Sequence, residues 1–387
     1  MDDEVEWFED YATGEDFEVK EYDITSTPND FNITTLFSFI ESGAVVIPGF
    51  QRHFVWDIRR SSKLIESLIL GLPVPQIFLY EQAKNKFLVI DGQQRLMSIY
   101  YFLKGRYPKK EKRSELRVIF EEHGRIPDST LDDDSFFTNF RLRLPARVPD
   151  EPNLFDKKSY STLDESKMQL DLRPIRNVIV KQNSPENDDS SVFEIFSRLN
   201  SGGVNLTAQE IRLSLYHSEF YDILMNLNRN AGWRRILGNE TPDLHLKDLE
   251  VLLRMFAMLV DGDNYTPSMV KFLNNFSRKS QKNSREQNNY LKELFLSFVQ
   301  TAQSLPEDAF QGRRAGRFSI ALIESVFCGV ASKAFSERRM LNGEIPGGLI
   351  QELNDNVEFQ EAATKSSTST INVNKRVSLG KSILPSL

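Results

Sequence analysis

The sequence predicts an α+β protein in which a small mixed sheet with helices is followed by an all-helical domain. Two observations predict this division. Up to about residue 205, short apolar runs bounded by turn residues alternate with runs of helical spacing. From residue 206 to about 365, apolar residues recur almost throughout at the spacing of one helix face.

Caps and helix breakers place the first elements of the α/β domain, which we expect over residues 25–205. Residues 31–42 have helical spacing, and Val45–Pro48 is typical of a short strand closed by proline. Asp57 is the expected N-cap of the next helix, and Gly71 is its expected C-terminal glycine.

Three further strands complete the predicted sheet. They are Gln76–Tyr80, Phe87–Ile90 and Arg176–Val180, and a helix that ends near Gly105 follows the second of them. Residues 121–172 are polar, irregular and interrupted by prolines, so we expect an insertion that leaves the core.

A helix over residues 191–199 leads to the second domain. Thr207 and Glu210 form a capping box that begins the first helix of this domain, which we expect over residues 206–365. Residues 366–387 are rich in Ser, Thr and Asn, so we expect a loosely ordered tail there.

Charge is divided unevenly along the chain. Residues 1–23 hold eleven acidic residues and one lysine, so the rest of the chain carries a net charge of +3 although the total is −7. We expect a flexible acidic leader over residues 1–24, with two interpretations open. It is either a solvated tail or a tail that covers a basic groove and competes with nucleic acid.

Composition limits the class of protein. The single cysteine, Cys328, excludes an internal disulfide framework and a cysteine-rich zinc site, and its apolar surroundings predict that it is buried. The sequence has no apolar run near the ~20 residues that a membrane-spanning helix needs. We therefore expect a cytoplasmic protein.

The densest polar motif of the chain is Asp91-Gly92-Gln93-Gln94-Arg95, which joins a predicted strand to a predicted helix. A helix N-terminus carries unpaired N–H groups and a partial positive charge, so this junction suits a phosphate. The alternative is an Asp-Gly turn followed by an exposed helix start, which accounts for Asp91 and Gly92 without a ligand.

An earlier motif, residues 47–56, sets polar side chains among aromatic ones. It contains Gln51, Arg52 and His53 together with Phe50, Phe54 and Trp56. Aromatic rings beside arginine can stack on nucleobases, and glutamine and arginine can read base edges. The alternative is that the aromatic residues are core and the polar ones cap a turn.

A third motif, residues 196–207, ends a helix with Arg198 and Asn200 and continues through Gly202-Gly203. Two consecutive glycines allow a loop to approach a ligand closely. The alternative is an ordinary helix end followed by a capping box.

Together the three motifs resemble the N-terminal domain of GmrSD-type restriction endonucleases, which belongs to the ParB/sulfiredoxin-like superfamily. The corresponding segments are Pro48–Trp56, Gly71-Leu72-Pro73, Asp91–Arg95 and Phe196–Gly203. The resemblance covers most of residues 30–300, and it implies that the small sheet has a ParB/sulfiredoxin-like fold.

The resemblance also implies a site that binds and hydrolyses a nucleoside triphosphate with Mg²⁺. Asp91 would position the cation or a water, Arg95 would neutralise phosphate charge, and Gln93 and Gln94 would orient phosphate or water. The residues expected to complete the binding cleft are Gln51, Arg52, Gly92, Arg198, Asn200, Gly202 and Gly203.

We expect no nuclease site in this chain. A His-Asn-His nuclease needs grouped histidines, whereas the four histidines here are scattered. Pro149-Asp150 together with Glu165 and Lys167 matches the Pro-Asp…Glu-x-Lys pattern of another class of nuclease. However, the stretch around Glu165 and Lys167 lacks the apolar strand that such a nuclease core needs.

Two functions of different classes remain open. In the first, the protein hydrolyses a nucleoside triphosphate to control DNA recognition or a partner nuclease, in defence against foreign or modified DNA. In the second, it is a non-enzymatic DNA-binding adaptor that recruits a separate effector. A degenerate family member with neither activity is a third alternative. The expected partners are DNA and a separate nuclease or methyltransferase.

Basic residues would supply phosphate contacts in either case. The candidates are the run from Lys104 to Arg117 and, in the helical domain, Lys279, Lys282, Arg313, Arg314 and Arg317. The alternative is that these charges form a solvated surface.

Overall fold

The computed structural model describes residues 8–9, 23–47, 54–113, 115–116, 119, 126–146, 151–184, 190–199, 207–243, 245–313 and 316–387. They form two compact units. The α/β unit lies within residues 20–206, and the helical unit combines residues 207–387 with a strand at residues 8–9.

The α/β unit contains both strands and helices. In chain order they are β2 (Asp23–Asn32), α1 (Ile33–Glu41), β3 (Val45–Val46), α2 (Ile58–Leu70), β4 (Ile77–Ala83), β5 (Lys86–Asp91), α3 (Gln93–Leu103), β6 (Arg106–Pro108), α4 (Asp128–Leu131), β7 (Phe137–Asn139), α5 (Glu165–Asp171), β8 (Pro174–Ser184) and α6 (Ser190–Leu199). This is the α+β class that the sequence predicts.

A mixed sheet in the order β2-β8-β4-β5-β3 forms the centre of this unit. Pairing alternates across it, antiparallel for β2–β8 and β4–β5 and parallel for β8–β4 and β5–β3. Side chains of β4 and β5 share one buried apolar cluster with side chains of α1, α2 and α3. The strand β5 therefore has a fixed position directly before α3.

Local signals placed α2 correctly. Asp57 accepts a hydrogen bond from the backbone N–H of Arg60 at 2.7 Å, and Gly71 ends the helix in the left-handed conformation with φ +77°. In contrast, β2 was not predicted. It is mostly exposed and contains aspartate, asparagine and proline, which are residues typical of turns.

The expectation that residues 121–172 leave the core is wrong. Phe137 and Phe140 are fully buried, and the ring of Phe140 packs edge-to-face on Phe102 at 5.2 Å. Leu163 and Leu170 belong to the same buried cluster. The apolar residues of this segment are separated by polar stretches of unequal length, so they have no period that indicates burial.

The helical unit begins at the predicted capping box, in which both hydrogen bonds between Thr207 and Glu210 are present. Its elements are β1 (Phe8–Glu9), α7 (Ala208–Tyr216), α8 (Glu219–Asn228), α9 (Ala231–Leu237), α10 (Lys247–Asp261), α11 (Met269–Ser280), α12 (Arg285–Thr301), β9 (Phe318–Ser319), α13 (Ile320–Ser336), α14 (Gly347–Asp355), α15 (Val357–Thr364) and α16 (Thr370–Ile383). Fully buried rings of Trp233, Phe256, Phe295 and Phe327 fill its core.

The C-terminal segment is ordered, so the expectation of a loose tail over residues 366–387 is wrong. Helix α16 packs against α13, and a Cβ at Gly329 would lie 2.5 Å from the carbonyl oxygen of Gly380. Helices approach this closely only where glycine stands at the crossing. Contact through glycine backbone leaves no apolar pattern in the sequence.

Cys328 is buried in α13, as predicted. Burial raises the pKa of its thiol to about 12, and the nearby Glu324 carboxylate acts in the same direction. The thiol is therefore protonated at neutral pH and inert.

Within the described ranges, every helix is too short or too polar to cross a membrane.

Candidate functional site

The central motif lies where β5 passes into α3. Asp91 is the last residue of the strand, and Gly92 is the N-cap of the helix with φ +100°. A Cβ at Gly92 would lie 2.8 Å from Ile77 Cγ1, so both the backbone conformation and the space require glycine. This sharp turn sets Asp91 one helical turn before Arg95.

Asp91 and Arg95 form an ion pair. Arg95 Nη2 donates to Asp91 Oδ2 at 2.7 Å and to the carbonyl oxygen of Gln76 at 3.1 Å. The Arg95 side chain is 15% exposed and the Asp91 side chain 40% exposed. Arg95 Nε is buried and has no hydrogen-bond partner in the described part of the chain. Nη2 is thus held by the protein through two hydrogen bonds, whereas the Nε donor has no acceptor among the described residues.

The N-terminus of α3 adds further donors beside Arg95. Its first backbone hydrogen bond within the helix runs from Leu96 N–H to the carbonyl oxygen of Gly92 at 2.9 Å. Glycine at the N-cap has no side chain, so it makes no side-chain cap. Backbone donors and the helix dipole at this end favour an anion.

Gln94 connects this junction to the end of the motif predicted over residues 47–56. Its Oε1 accepts hydrogen bonds from the backbone N–H groups of Val55, at 3.0 Å, and Trp56, at 3.3 Å. Its carbonyl oxygen is therefore engaged by the protein itself. Two of the three predicted motifs meet through this one amide. The other glutamine, Gln93, is half-buried on the first turn of α3.

Two side chains outside the predicted cleft, those of Tyr107 and Arg113, hold the Trp56 backbone. The Trp56 carbonyl oxygen accepts from the Tyr107 hydroxyl at 2.7 Å and from Arg113 Nη2 at 3.0 Å. The guanidinium of Arg60 lies 4.5 Å from the centre of the Trp56 ring. A basic run gave the only signal for Arg113, and no local pattern pointed to Tyr107.

Arg198 lies on α6, which packs against β5. Its side chain is 75% exposed, and its Nε pairs with Glu194 Oε1 at 2.5 Å. The other predicted cleft residues fall outside the described residues, namely Gln51, Arg52, Asn200, Gly202 and Gly203. Their expected place in the cleft stays a prediction.

The donor set for a metal is small. Asp91 Oδ2 binds Arg95, whereas Oδ1 has no hydrogen-bond partner among the residues described here. In the same residues no group of three or more His, Cys, Asp or Glu side chains lies close enough to hold a metal ion. One carboxylate is compatible with Mg²⁺ that takes its remaining ligands from phosphates and water.

Several of the cations expected to contact phosphate are bound to carboxylates instead. Lys104 pairs with Glu41 at 2.8 Å. The corresponding pairs are Arg106–Asp134, Lys112–Glu115, Lys279–Asp261 and Arg313–Asp355. These five cations are therefore engaged by carboxylates of the protein itself, and the Arg106 side chain is only 13% exposed.

The helical unit contains a cavity of about 610 Å³, lined by residues that include Phe276, Tyr290 and Phe335. Of the predicted phosphate-contacting cations, it includes Lys279, and none of the Asp91–Arg95 motif lies in it. The predicted nucleotide site is therefore a separate feature of the α/β unit.

Comparison with known proteins supports the resemblance given by the motifs. A model of the GmrSD restriction endonuclease N-terminal domain matches residues 33–217, just under half of the chain. This stretch holds Asp91–Arg95 and all three motifs.

An uncharacterized protein of Methanocaldococcus jannaschii is 25% identical over 150 residues, which is 32% of this chain and 26% of that protein. The chain thus spans about a quarter of this relative. No solved structure matches the chain. The ParB/sulfiredoxin-like assignment of the sheet accordingly stays a prediction.

Proposed function

We propose that the β5–α3 junction binds a nucleoside triphosphate and that its hydrolysis controls DNA recognition or a partner nuclease. The observation that carries this proposal is the buried Nε of Arg95 beside the N-terminus of α3, which has no hydrogen-bond partner among the described residues. The match to a restriction endonuclease domain over residues 33–217 supports a role related to restriction or defence.

Each residue of the junction has a distinct task in this proposal. Arg95 and the first N–H groups of α3 bind phosphate oxygens, since both supply donors and positive charge. Asp91 holds Arg95 in place and offers its second oxygen to the cation. Mg²⁺ bound with the triphosphate would neutralise charge that develops on the phosphates. Gly92 allows the tight turn that brings Asp91 beside Arg95.

A non-enzymatic DNA-binding adaptor is the second candidate function. It is favoured by the ion pair at 2.7 Å, because Asp91 is already neutralised by Arg95. A single paired carboxylate is a weak basis for metal-dependent hydrolysis. Binding without turnover would fit such a site equally well.

The test compares nucleotide binding with turnover in the purified full chain. Arg95→Ala should weaken triphosphate binding about tenfold or more, because a hydrogen bond to a charged group contributes about 1.5–3 kcal/mol. Asp91→Asn should lower Mg²⁺-dependent phosphate release more than binding. The control is Arg176→Ala, which breaks an exposed pair with Asp30 on the sheet.

Three results would separate the candidates. Loss of both activities in Arg95→Ala with a normal Arg176→Ala supports the nucleotide site. If the wild-type protein binds the nucleoside triphosphate but releases no phosphate, the result supports the non-enzymatic adaptor function. Unchanged binding and release in Arg95→Ala would remove the junction as the site.

A further inference from the structure

Five cations gather around the N-terminal half of α2. Arg59, Arg60 and Lys63 lie on the first turns of the helix, and Arg141 and Arg143 lie on the segment after β7. All five are exposed. Among the described residues, none of them has a carboxylate within ion-pair distance. They therefore differ from the predicted basic run, where Lys104, Arg106 and Lys112 are all paired.

A hydrogen bond fixes the segment after β7 against α2. The backbone N–H of Arg143 donates to Ser62 Oγ at 2.9 Å. The flanking Leu142 and Leu144 are buried, so the side chains of Arg141 and Arg143 alternate outward. Ser62 directly precedes Lys63. The backbone hydrogen bond thus places the two groups of cations next to each other.

Three carboxylates on the same segments already accept hydrogen bonds from the protein. Asp57 caps α2 by accepting from Arg60 N–H. Glu66 accepts from Asn153 Nδ2 at 2.7 Å, and Asp156 accepts from Leu144 N–H at 3.0 Å. Even with these three negative charges counted, the five cations leave the surface with net positive charge. An extended exposed surface of this kind attracts a polyanion.

The arrangement suits phosphate esters in particular. Three of the four arginines make no side-chain hydrogen bond or ion pair with the described residues, and a guanidinium group can bind two phosphate oxygens at once. The fourth, Arg60, stacks on Trp56 at 4.5 Å, which restricts its orientation before any ligand arrives. Gln94 binds the backbone of Trp56, so the surface adjoins the β5–α3 junction.

We propose that the surface formed by Arg59, Arg60, Lys63, Arg141 and Arg143 binds the phosphate backbone of double-stranded DNA. The choice of DNA among polyanions rests on the proposed function. The location of the surface rests only on the geometry and charge of α2 and its neighbours. Such contacts fix position on the duplex without reading its sequence.

The test uses fluorescence anisotropy with a labelled DNA duplex and the full chain at several salt concentrations. Two double variants, Arg59→Glu with Lys63→Glu and Arg141→Glu with Arg143→Glu, should each weaken binding about tenfold or more at ~0.1 M salt. Each should also reduce the slope of log affinity against log salt by about one to two.

The matched control is Lys84→Glu with Lys86→Glu at the β4–β5 turn, the end of β5 opposite Asp91, where both lysines are exposed. It makes the same charge change and should leave affinity near the wild-type value. Thermal unfolding of all variants checks the fold. Triphosphate binding should persist in both surface variants, so failure of the nucleotide site is recognised separately.

The proposal is overturned if the wild-type protein does not bind duplex DNA at low salt. Equal losses in the control and surface variants would also overturn it, since net charge alone would then be responsible. A surface that binds vesicles containing phosphatidylserine but not DNA would replace this proposal with a membrane contact.

Discussion

A single amide, Gln94, joins the N-terminal end of α3 to the backbone of residues 55 and 56. If the proposed ligand binds at Arg95, we expect this contact to pass its effect on to Trp56. Any shift of the first turn of α3 moves the acceptor on which both N–H groups depend. Coupling between sites requires an element that both of them bias.

Replacement of Gln94 by alanine should uncouple the two sites. In the wild-type protein we expect DNA affinity to change when a nucleoside triphosphate is added, and in Gln94→Ala this change should largely disappear. Gln94→Glu keeps an acceptor oxygen, so this variant should retain the change in DNA affinity on addition of nucleotide. Anisotropy titrations measure the DNA affinity with and without nucleotide, and the ratio of the two affinities gives the coupling. The same ratio in wild type and Gln94→Ala would show that the amide does not transmit the effect.

The sequence predicted the chemistry of this site better than its contacts. Residue types alone pointed to Asp91, Gly92 and Arg95, because a strand followed directly by Asp-Gly and a helix is a local signal. The hydrogen bond from Arg95 to the Gln76 carbonyl oxygen requires β4 beside β5. The hydrogen bond that Gln94 accepts from Val55 N–H requires a segment about forty residues earlier in the chain. Contacts of such sequence separation have no local pattern.

Helix α16 is held against α13 by backbone contact and by buried charge. Arg254 Nε pairs with Glu324 Oε1 at 2.5 Å, and Arg376 of α16 approaches the other oxygen of Glu324 at 3.8 Å. All three side chains are at least nine-tenths buried. The Glu324 carboxylate on α13 thus links Arg254 of α10 to Arg376 of α16.

Insertion of one methyl group at the crossing should loosen α16. A Cβ at Gly380 would collide with the carbonyl oxygen of Ser325, so Gly380→Ala should lower the free energy of unfolding by about 1–3 kcal/mol. Gly348→Ala on α14 is the control, since nothing lies within 4 Å of its added Cβ. Urea unfolding followed by circular dichroism measures both. Equal stability of Gly380→Ala and the wild-type protein would contradict the close packing described here.

Elements with local start and stop signals were predicted well. Asp57 and Gly71 bound α2, and Thr207 with Glu210 begins α7, because caps are encoded within four residues. The strand β2 and the helix α16 were missed. One is stabilised by its pairing with β8 and the other by glycine contact with α13, so tertiary context outweighs their polar composition.

For the whole molecule, the acidic N-terminal residues set the sign of the net charge. The total charge is −7, yet the chain after residue 23 carries +3. A tail that covers a basic groove would compete with DNA, whereas a solvated tail would act on DNA only through its net charge. They differ in whether the position of the acidic residues matters or only their number.

Neutralising Asp2, Asp3, Glu4 and Glu6 with the corresponding amides should raise DNA affinity several-fold at low salt. The gain should shrink as salt increases, because screening reduces electrostatic interactions between exposed charges. The control neutralises four exposed carboxylates elsewhere, at Glu307, Asp308, Glu344 and Glu352. Anisotropy titrations compare the two variants. Equal gains would favour net charge, and no gain in either would contradict an electrostatic role.

The pairing of β1 with β9 has a consequence for biosynthesis. Phe8 and Phe318 are partners in parallel strands about 310 residues apart. As the ribosome delivers the chain from its N-terminus, the α/β unit can finish folding while β1 still lacks its partner. The β1–β9 pairing of the helical unit can form only after residues 318–319 emerge, long after residues 8–9 are synthesised.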